Sequence, residues 1–334
     1  MGEMEGSRGE MIKKEPFKPF PLCTSCHLQT IAAFFLSMSG TLPSSQRFIK
    51  LPDGDQIALE ISTPLDWNQD EATAILVHGL CGSSRSSYIT RVARKLYKRN
   101  VRTIRLNLRG CGLGRGHGRK IYHSGSSEDI WHVLKEIKSE TPSSPLTLIG
   151  FSLGGNTILK TVGEKGNEAK QWLDKVISIS PPIDMESSIR LLSKNAIYER
   201  YFMSYLREDV EYLHTSFNDL PPIRIPSDMS LLDFNEFYIA PQSGHQTARD
   251  YYDASSSARL IKNIAVPCHL LFARDDPIVD CRHFDFTALP SNVKVMMTDN
   301  GGHLGYLGVP GQQGGFYWMD STVLEWVFQK GARL

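Results

Sequence analysis

Short apolar runs recur along this chain, and most are followed by a turn and then by helically spaced apolar positions. Gln46–Leu51 and Gln56–Ser62 flank Pro52-Asp53-Gly54-Asp55 and predict an antiparallel hairpin. From Thr73 onward, strand and helix patterns alternate. Thr73–Val77, Val101–Leu108, Leu146–Ile149 and Lys175–Ser180 read as buried strands. Ser86–Asn100 puts Ile89, Val92, Ala93, Leu96 and Tyr97 on one helical stripe. Ser126–Glu140 does the same with Ile130, Val133, Leu134 and Ile137. This βαβ repetition predicts an α/β fold with a mostly parallel central sheet and helices on both faces. The alternation stops at Pro181 and resumes with Val266–Ala273 and Val293–Met297. We therefore divide the chain into an N-terminal arm (1–45) packing on the core, a core (46–182 and 259–334) and a helical cap insertion (183–258). In the cap, Ile183–Leu213 reads as helix. Its Tyr198, Tyr201, Phe202, Met203 and Tyr205 suit either an acyl-chain pocket or plain packing on the core.

The candidate chemistry sits on the turns of this pattern. Gly150-Phe151-Ser152-Leu153-Gly154 lies between a strand and a helix-compatible stretch. A G-x-S-x-G string in that context strains its middle residue and presents the serine hydroxyl beside a helix N-terminus. Read alone, the pentapeptide fits a glycine-rich turn equally well. A nucleophilic serine needs a base to take its proton and a carboxylate to hold that base. On a sheet of this kind they follow in the order Ser, Asp, His. Arg274-Asp275-Asp276-Pro277 closes one downstream strand, on the same rim as the elbow, and Gly301-Gly302-His303 follows the next. The expected set is Ser152, Asp276 and His303. Asp276 is chosen because it directly precedes Pro277, with Asp275 as second choice. His78-Gly79-Leu80-Cys81-Gly82 follows the strand Thr73–Val77. It predicts an oxyanion loop with the backbone N–H groups of Leu80 and Leu153 as donors and His78 as a loop-orienting residue.

Composition narrows the function classes. The 334 residues are 41% hydrophobic, enough for one large α/β domain with an insertion. Lys and Arg number 37 against 36 Asp and Glu, which gives no nucleic-acid signal. The stretch 85–120 holds basic residues and no acidic ones, and reads as a solvated basic face. Peripheral contact with an anionic membrane surface is the alternative reading. Six cysteines and no secretory leader fit reduced thiols in a cytoplasmic protein. Cys23-Thr24-Ser25-Cys26-His27 matches a haem-attachment string without its export context, and no second C-x-x-C completes a zinc site. No metal and no cofactor are expected. The glycine-rich loop from Arg109 to Gly116 contains neither nucleotide-binding signature and reads as a turn at the sheet rim. His245–Asp250 fits H-x-x-x-x-D and is assigned no role. The longest apolar run near the N-terminus, Ile31–Leu36, is too short to span a membrane, and Met1–Lys18 is expected to be mobile.

In combination, His27-Leu28-Gln29-Thr30, the His78 loop through Ser84, Asn107-x-Arg109-Gly110-Cys111, Tyr122-His123-Ser124-Gly125, Asp250-Tyr251-Tyr252, Asp275-Asp276-Pro277 and Gly301-Gly302-His303 resemble the YheT-like α/β-hydrolases. The resemblance runs from about Pro21 to the C-terminus. It implies an α/β-hydrolase fold with a helical cap, a Ser-Asp-His triad and carboxylester hydrolysis. Eukaryotic relatives act on lipid esters and carry an N-terminal membrane anchor; this sequence shows none, so a soluble, bacterial-type member is expected. The expected activity is cleavage of carboxylic esters, acyl-glycerols or other lipid-like esters among them, through an acyl-enzyme. An acyltransferase or thioesterase with the same triad is the first alternative. A ligand-binding module without turnover is the second.

Overall fold

The computed structural model describes residues 17–36, 41–282, 284–312 and 314–329. All but the end of the stretch expected to be mobile lies outside them. The strands are β1 (Ser45–Lys50), β2 (Gln56–Ser62), β3 (Thr73–Val77), β4 (Arg102–Asn107), β5 (Leu146–Phe151), β6 (Lys175–Ile179), β7 (Cys268–Ala273) and β8 (Val293–Thr298). The α-helices are α1 (Cys26–Phe35), α2 (Ser87–Tyr97), α3 (Ser127–Glu140), α4 (Leu153–Lys165), α5 (Met185–Ser193), α6 (Ala196–Ser216), α7 (Leu231–Phe234), α8 (Ala240–Gln242), α9 (Ala248–Ser255) and α10 (Trp318–Phe328). The eight strands form one sheet in the order β1-β2-β4-β3-β5-β6-β7-β8. β1 pairs antiparallel with β2, as the hairpin pattern predicts, and β2 antiparallel with β4. All other pairs are parallel. The chain leaves β3 toward β4 on one side and then crosses to β5 on the other. This reversal opens a crevice at the C-terminal ends of β3 and β5, where open α/β sheets bind ligands.

Every residue of β3, β5, β6 and β7 is buried, because helices cover both faces. Alternate side chains choose the face. Ala74, Leu76, Ile149 and Phe151 pack with α2 and α10. Ile75, Val77 and Leu148 belong to the cluster formed with α3, α4 and the helices α5 to α9.

Helices α5 to α9 fill the interval between β6 and β7. The single helix expected over Ile183–Leu213 is two. Asp184 caps α5 by accepting from Ser187 N–H at 3.1 Å, and Asn195 caps α6 by accepting from Ile197 N–H at 3.1 Å. The stretch 85–120 is solvated only in part: Arg85, Lys98, Arg99, Arg119 and Lys120 are exposed, whereas Arg91, Arg105 and Arg109 are buried. Arg85 and Arg105 pair with Glu60, Arg91 and Lys95 with buried Asp320, Arg109 with Asp53, Asp55 and Asp129, and Arg115 with Glu208. Acids from distant segments thus match these six of the twelve Lys and Arg charges in the stretch. The arm meets the core through an antiparallel bridge between Pro19 and Gly308, and Phe20 N–H donates to Leu307 O at 2.8 Å. Among the described residues, no helix is long and apolar enough to cross a membrane.

Candidate active site

β5 ends at Phe151 and α4 begins at Leu153, so Ser152 is the whole connection. Its φ of 51° and ψ of −125° lie outside the regions open to most L-residues. Strain of this kind costs on the order of 1–3 kcal/mol and persists only where packing enforces it. The Ser152 N–H donates to Ile179 O at 2.8 Å, which pins the turn to β6. A β-carbon on Gly150 would lie 2.6 Å from Gly154 O, and one on Gly79 would lie 2.9 Å from the Ser152 β-carbon. Both positions need glycine for close approach.

His303 stands on the loop after β8. Its Nε2 lies 2.8 Å from Ser152 Oγ, and its Nδ1 lies 2.9 Å from Asp276 Oδ2. Asp276 Oδ1 accepts from the N–H groups of Ile278 (2.8 Å) and Val279 (2.9 Å). These two bonds orient the carboxylate and leave Oδ2 to the imidazole. An acceptor at Nδ1 keeps the ring proton there and turns the Nε2 lone pair toward the serine hydroxyl. All three side chains are buried, Ser152 with 9% of its surface exposed. The structure therefore brings the three expected residues together. Asp275 takes a different position: its Oδ1 accepts from Gly302 N–H at 3.0 Å.

The loop after β3 lies directly against the elbow. His78 donates from Nδ1 to Gly79 O (2.8 Å) and accepts at Nε2 from Leu108 N–H (3.0 Å). Burial pushes its pKa down to about 4, so the ring is neutral and holds the loop to the end of β4. Gly79 N–H donates to the Tyr88 hydroxyl (3.0 Å) and Cys81 N–H to the Tyr122 hydroxyl (2.6 Å). Between them, the Leu80 N–H makes no hydrogen bond among the described residues, and neither does the Leu153 N–H.

Sequence reasoning assigned no task to several polar residues that frame this site. Asn107 accepts from Ser84 N–H (2.9 Å) and donates to Ala58 O (3.1 Å), so it fixes the far end of the loop. Asn156 on α4 donates to Ser255 O (2.8 Å) and accepts from Ser257 N–H (3.0 Å), joining the elbow helix to the end of α9. The Tyr251 hydroxyl accepts from Ser124 N–H at 3.1 Å. Asn107 and Tyr251 sit in motifs noted above and Asn156 lies two residues past the elbow, but the partners of all three are remote in the chain. The H-x-x-x-x-D string is a helix cap: Thr247 Oγ1 accepts from Asp250 N–H (3.1 Å) and donates to Asp250 Oδ2 (2.7 Å). Among the described residues, no group of three or more His, Cys, Asp or Glu side chains could hold a metal ion.

The doubly wound sheet, the strained serine and the acid after β7 define an α/β-hydrolase arrangement. The family model for the alpha/beta hydrolase fold matches residues 75–308, and the chain belongs to that family. Within it the chain is YheT-like. It is 28% identical over 328 residues to YheT of Escherichia coli (strain K12), a provisionally named esterase, covering 95% of this chain and 94% of that one. It is 26% identical to a monoacylglycerol lipase of Saccharomyces cerevisiae, covering 72% of this chain and 56% of the relative. It is 24% identical to the phospholipase ABHD3 of Mus musculus, covering 89% and 74%. Among solved structures, 2,6-dihydroxy-pseudo-oxynicotine hydrolase matches with a TM-score of 0.57 and 16% identity over 90% of this chain and 70% of its own. Est1E from Butyrivibrio proteoclasticus matches with a TM-score of 0.54 and 14% identity over 86% and 98%. These structural likenesses speak to the fold.

Proposed function

We propose that this chain is a serine hydrolase of carboxylic esters. His303 Nε2 takes the Ser152 proton as Oγ attacks the ester carbonyl. The imidazolium that forms is held by Asp276. The N–H groups of Leu80 and Leu153 bind the oxyanion, a preorganised pair at the loop and at the N-terminus of α4. His303 then gives its proton to the leaving alcohol, and water cleaves the acyl-enzyme by the same route. The observation that carries this reading is the buried relay Ser152–His303–Asp276, with both contacts at hydrogen-bond distance. The Leu80 assignment is supported by its neighbours: the N–H groups on either side of it are already satisfied by tyrosine hydroxyls.

The substrate class follows from the relatives and the cap. Relatives named esterase, monoacylglycerol lipase and phospholipase point to acyl-glycerol or other lipid-like esters. α6 lies over the loop that carries Leu80, with the Cys81 thiol 3.8 Å from Phe202 O. Tyr201 packs its ring on Phe202 and Tyr205, an aromatic wall suited to an acyl chain. The test is labelling of the purified protein with a fluorophosphonate, followed by a panel of acyl esters of rising chain length. Ser152→Ala is expected to abolish labelling and to lower kcat by about 10⁴-fold or more. Full turnover in Ser152→Ala would overturn the mechanism.

A further inference from the structure

We propose that the N-terminal helix α1 is a working part of the active site, in which Thr30 and Gln29 are positioning residues for His303. The proposal rests on the reading of His303 as the general base. The loop 301–307 has few means of fixing itself. Gly301, Gly302, Leu304 and Tyr306 all adopt positive φ, and Leu304 (56°) and Tyr306 (44°) carry side chains that disfavour it. One internal bond, Tyr306 N–H to Gly301 O at 2.9 Å, closes the loop. A strained segment of this kind persists only where its surroundings over-determine it.

The core supplies part of those surroundings, with Trp318 N–H donating to Tyr306 O at 3.2 Å and the Tyr306 hydroxyl 3.1 Å from Ser180 Oγ, and the arm supplies the part around His303 and Leu307. His303 N–H donates to Thr30 Oγ1 at 2.9 Å, and the Thr30 hydroxyl donates in turn to Cys26 O at 2.8 Å. Gln29 is 0% exposed. Its Oε1 accepts from Leu307 N–H at 2.6 Å, and its Nε2 donates to Leu307 O (3.1 Å) and Cys23 O (2.6 Å). One side-chain amide thus satisfies both backbone groups of Leu307, as a neighbouring strand would. A β-carbon on Gly305 would lie 2.6 Å from Gln29 O, so helix and loop touch backbone to backbone. From the sheet side, Asp275 holds Gly302 N–H.

Positions 26, 29, 30 and 33 share one face of a helix, and Gln29 and Ala33 are the buried residues of α1. Burial of an amide where an apolar side chain would pack needs a reason, because its desolvation must be matched by hydrogen bonds. The reason here is the loop. His27, on the same helix, lies 2.9 Å from the Tyr198 hydroxyl through Nδ1, which ties α1 to the cap. The His27-Leu28-Gln29-Thr30 motif therefore joins three parts of the molecule at the base of His303. The imidazole must meet two partners at once, and a displacement of about 1 Å in such an array can cost about 100-fold in rate.

Thr30→Val removes the hydroxyl at nearly constant volume, and Thr30→Ser restores it. Thr30→Val is expected to lower kcat about 10- to 100-fold with KM within about threefold. Thr30→Ser is expected to stay within about threefold of the original protein in both. The low-field proton resonance of His303 Nδ1–H, assigned by its loss in His303→Ala, should broaden in Thr30→Val and return in Thr30→Ser. An unchanged kcat and resonance in Thr30→Val overturn the proposal. Equal losses in Thr30→Val and Thr30→Ser also overturn it, because the hydroxyl is then not the acting group. If Thr30→Val does not fold by circular dichroism, Thr30→Ala is read by the same criteria at a temperature where it is folded. The resonance reports on the His303–Asp276 bond without turnover. A chain that fails to label at Ser152 yet loses the resonance in Thr30→Val therefore refutes the esterase reading and keeps the clamp.

Discussion

Asp275 and Asp276 are adjacent carboxylates with different partners, and the difference can be measured. Asp276 Oδ2 faces His303 Nδ1 at 2.9 Å, whereas Asp275 Oδ1 faces the backbone N–H of Gly302 at 3.0 Å. Asp276→Asn offers the imidazole an amide and favours the wrong tautomer, so kcat should fall about 10⁴-fold. Asp275→Asn still offers an acceptor oxygen to Gly302 N–H, so its loss should be about tenfold or less. Steady-state rates of the two variants on one ester decide the matter, and equal losses would mean that the two carboxylates share the task. Sequence alone favoured Asp276 through its place before Pro277. The physical basis is the turn that follows, which aims the N–H groups of Ile278 and Val279 at Oδ1 and so turns Oδ2 toward the ring.

Elements were legible where their burial pattern is local. The strands read correctly to within a residue or two because parallel strands covered on both faces are short unbroken apolar runs. The elbow and the acid were legible because each follows such a strand, and the histidine because it follows the largely apolar edge strand β8. Helices α1 and α10 were not, because each hides a polar residue whose partner lies far along the chain. Gln29 faces Leu307, and Asp320 on α10 is fully buried against Arg91 and Lys95 of α2. Arg91 reaches Asp320 through Nε at 2.6 Å and Nη2 at 3.0 Å, a bidentate pair across two helices. Removing one partner strands the other as a buried charge. Asp320→Ala should therefore cost about 3–5 kcal/mol in urea unfolding while leaving the kcat of the folded protein unchanged. Replacing the bidentate pair, Arg91→Met with Asp320→Leu, leaves the half-buried Lys95 to reach solvent and should recover most of that loss. A cost below about 1 kcal/mol for Asp320→Ala would place the pair among surface ion pairs in its effect.

At the scale of the whole molecule, buried histidines make stability depend on pH. Burial holds His78, His123 and His269 each down to about 4. His78 and His123 also accept a backbone N–H on a ring nitrogen, from Leu108 and Gly125, which requires a neutral ring. In the unfolded chain a histidine titrates near 6.5. Between about 4 and 6.5 the unfolded chain binds protons that the folded chain refuses, so stability falls as pH drops through that window. Each histidine contributes on the order of 3 kcal/mol across it at most. Asp209 on α6 opposes them. Burial raises its carboxyl to about 6 from 3.8, so the folded chain keeps a proton that the unfolded chain releases, and this contribution is lost as pH rises through about 6. Three histidines against one carboxyl leave a net uptake of about two protons on unfolding near pH 5, or roughly 3 kcal/mol per pH unit. Urea midpoints measured between about pH 6 and 4.5 should follow that slope, and a flat profile would mean that the histidines are hydrated in the folded state. In Asp209→Asn the opposing carboxyl is gone. Its slope should steepen toward about three protons, or roughly 4 kcal/mol per pH unit, and an unchanged slope would mean that Asp209 is ionised in the folded chain.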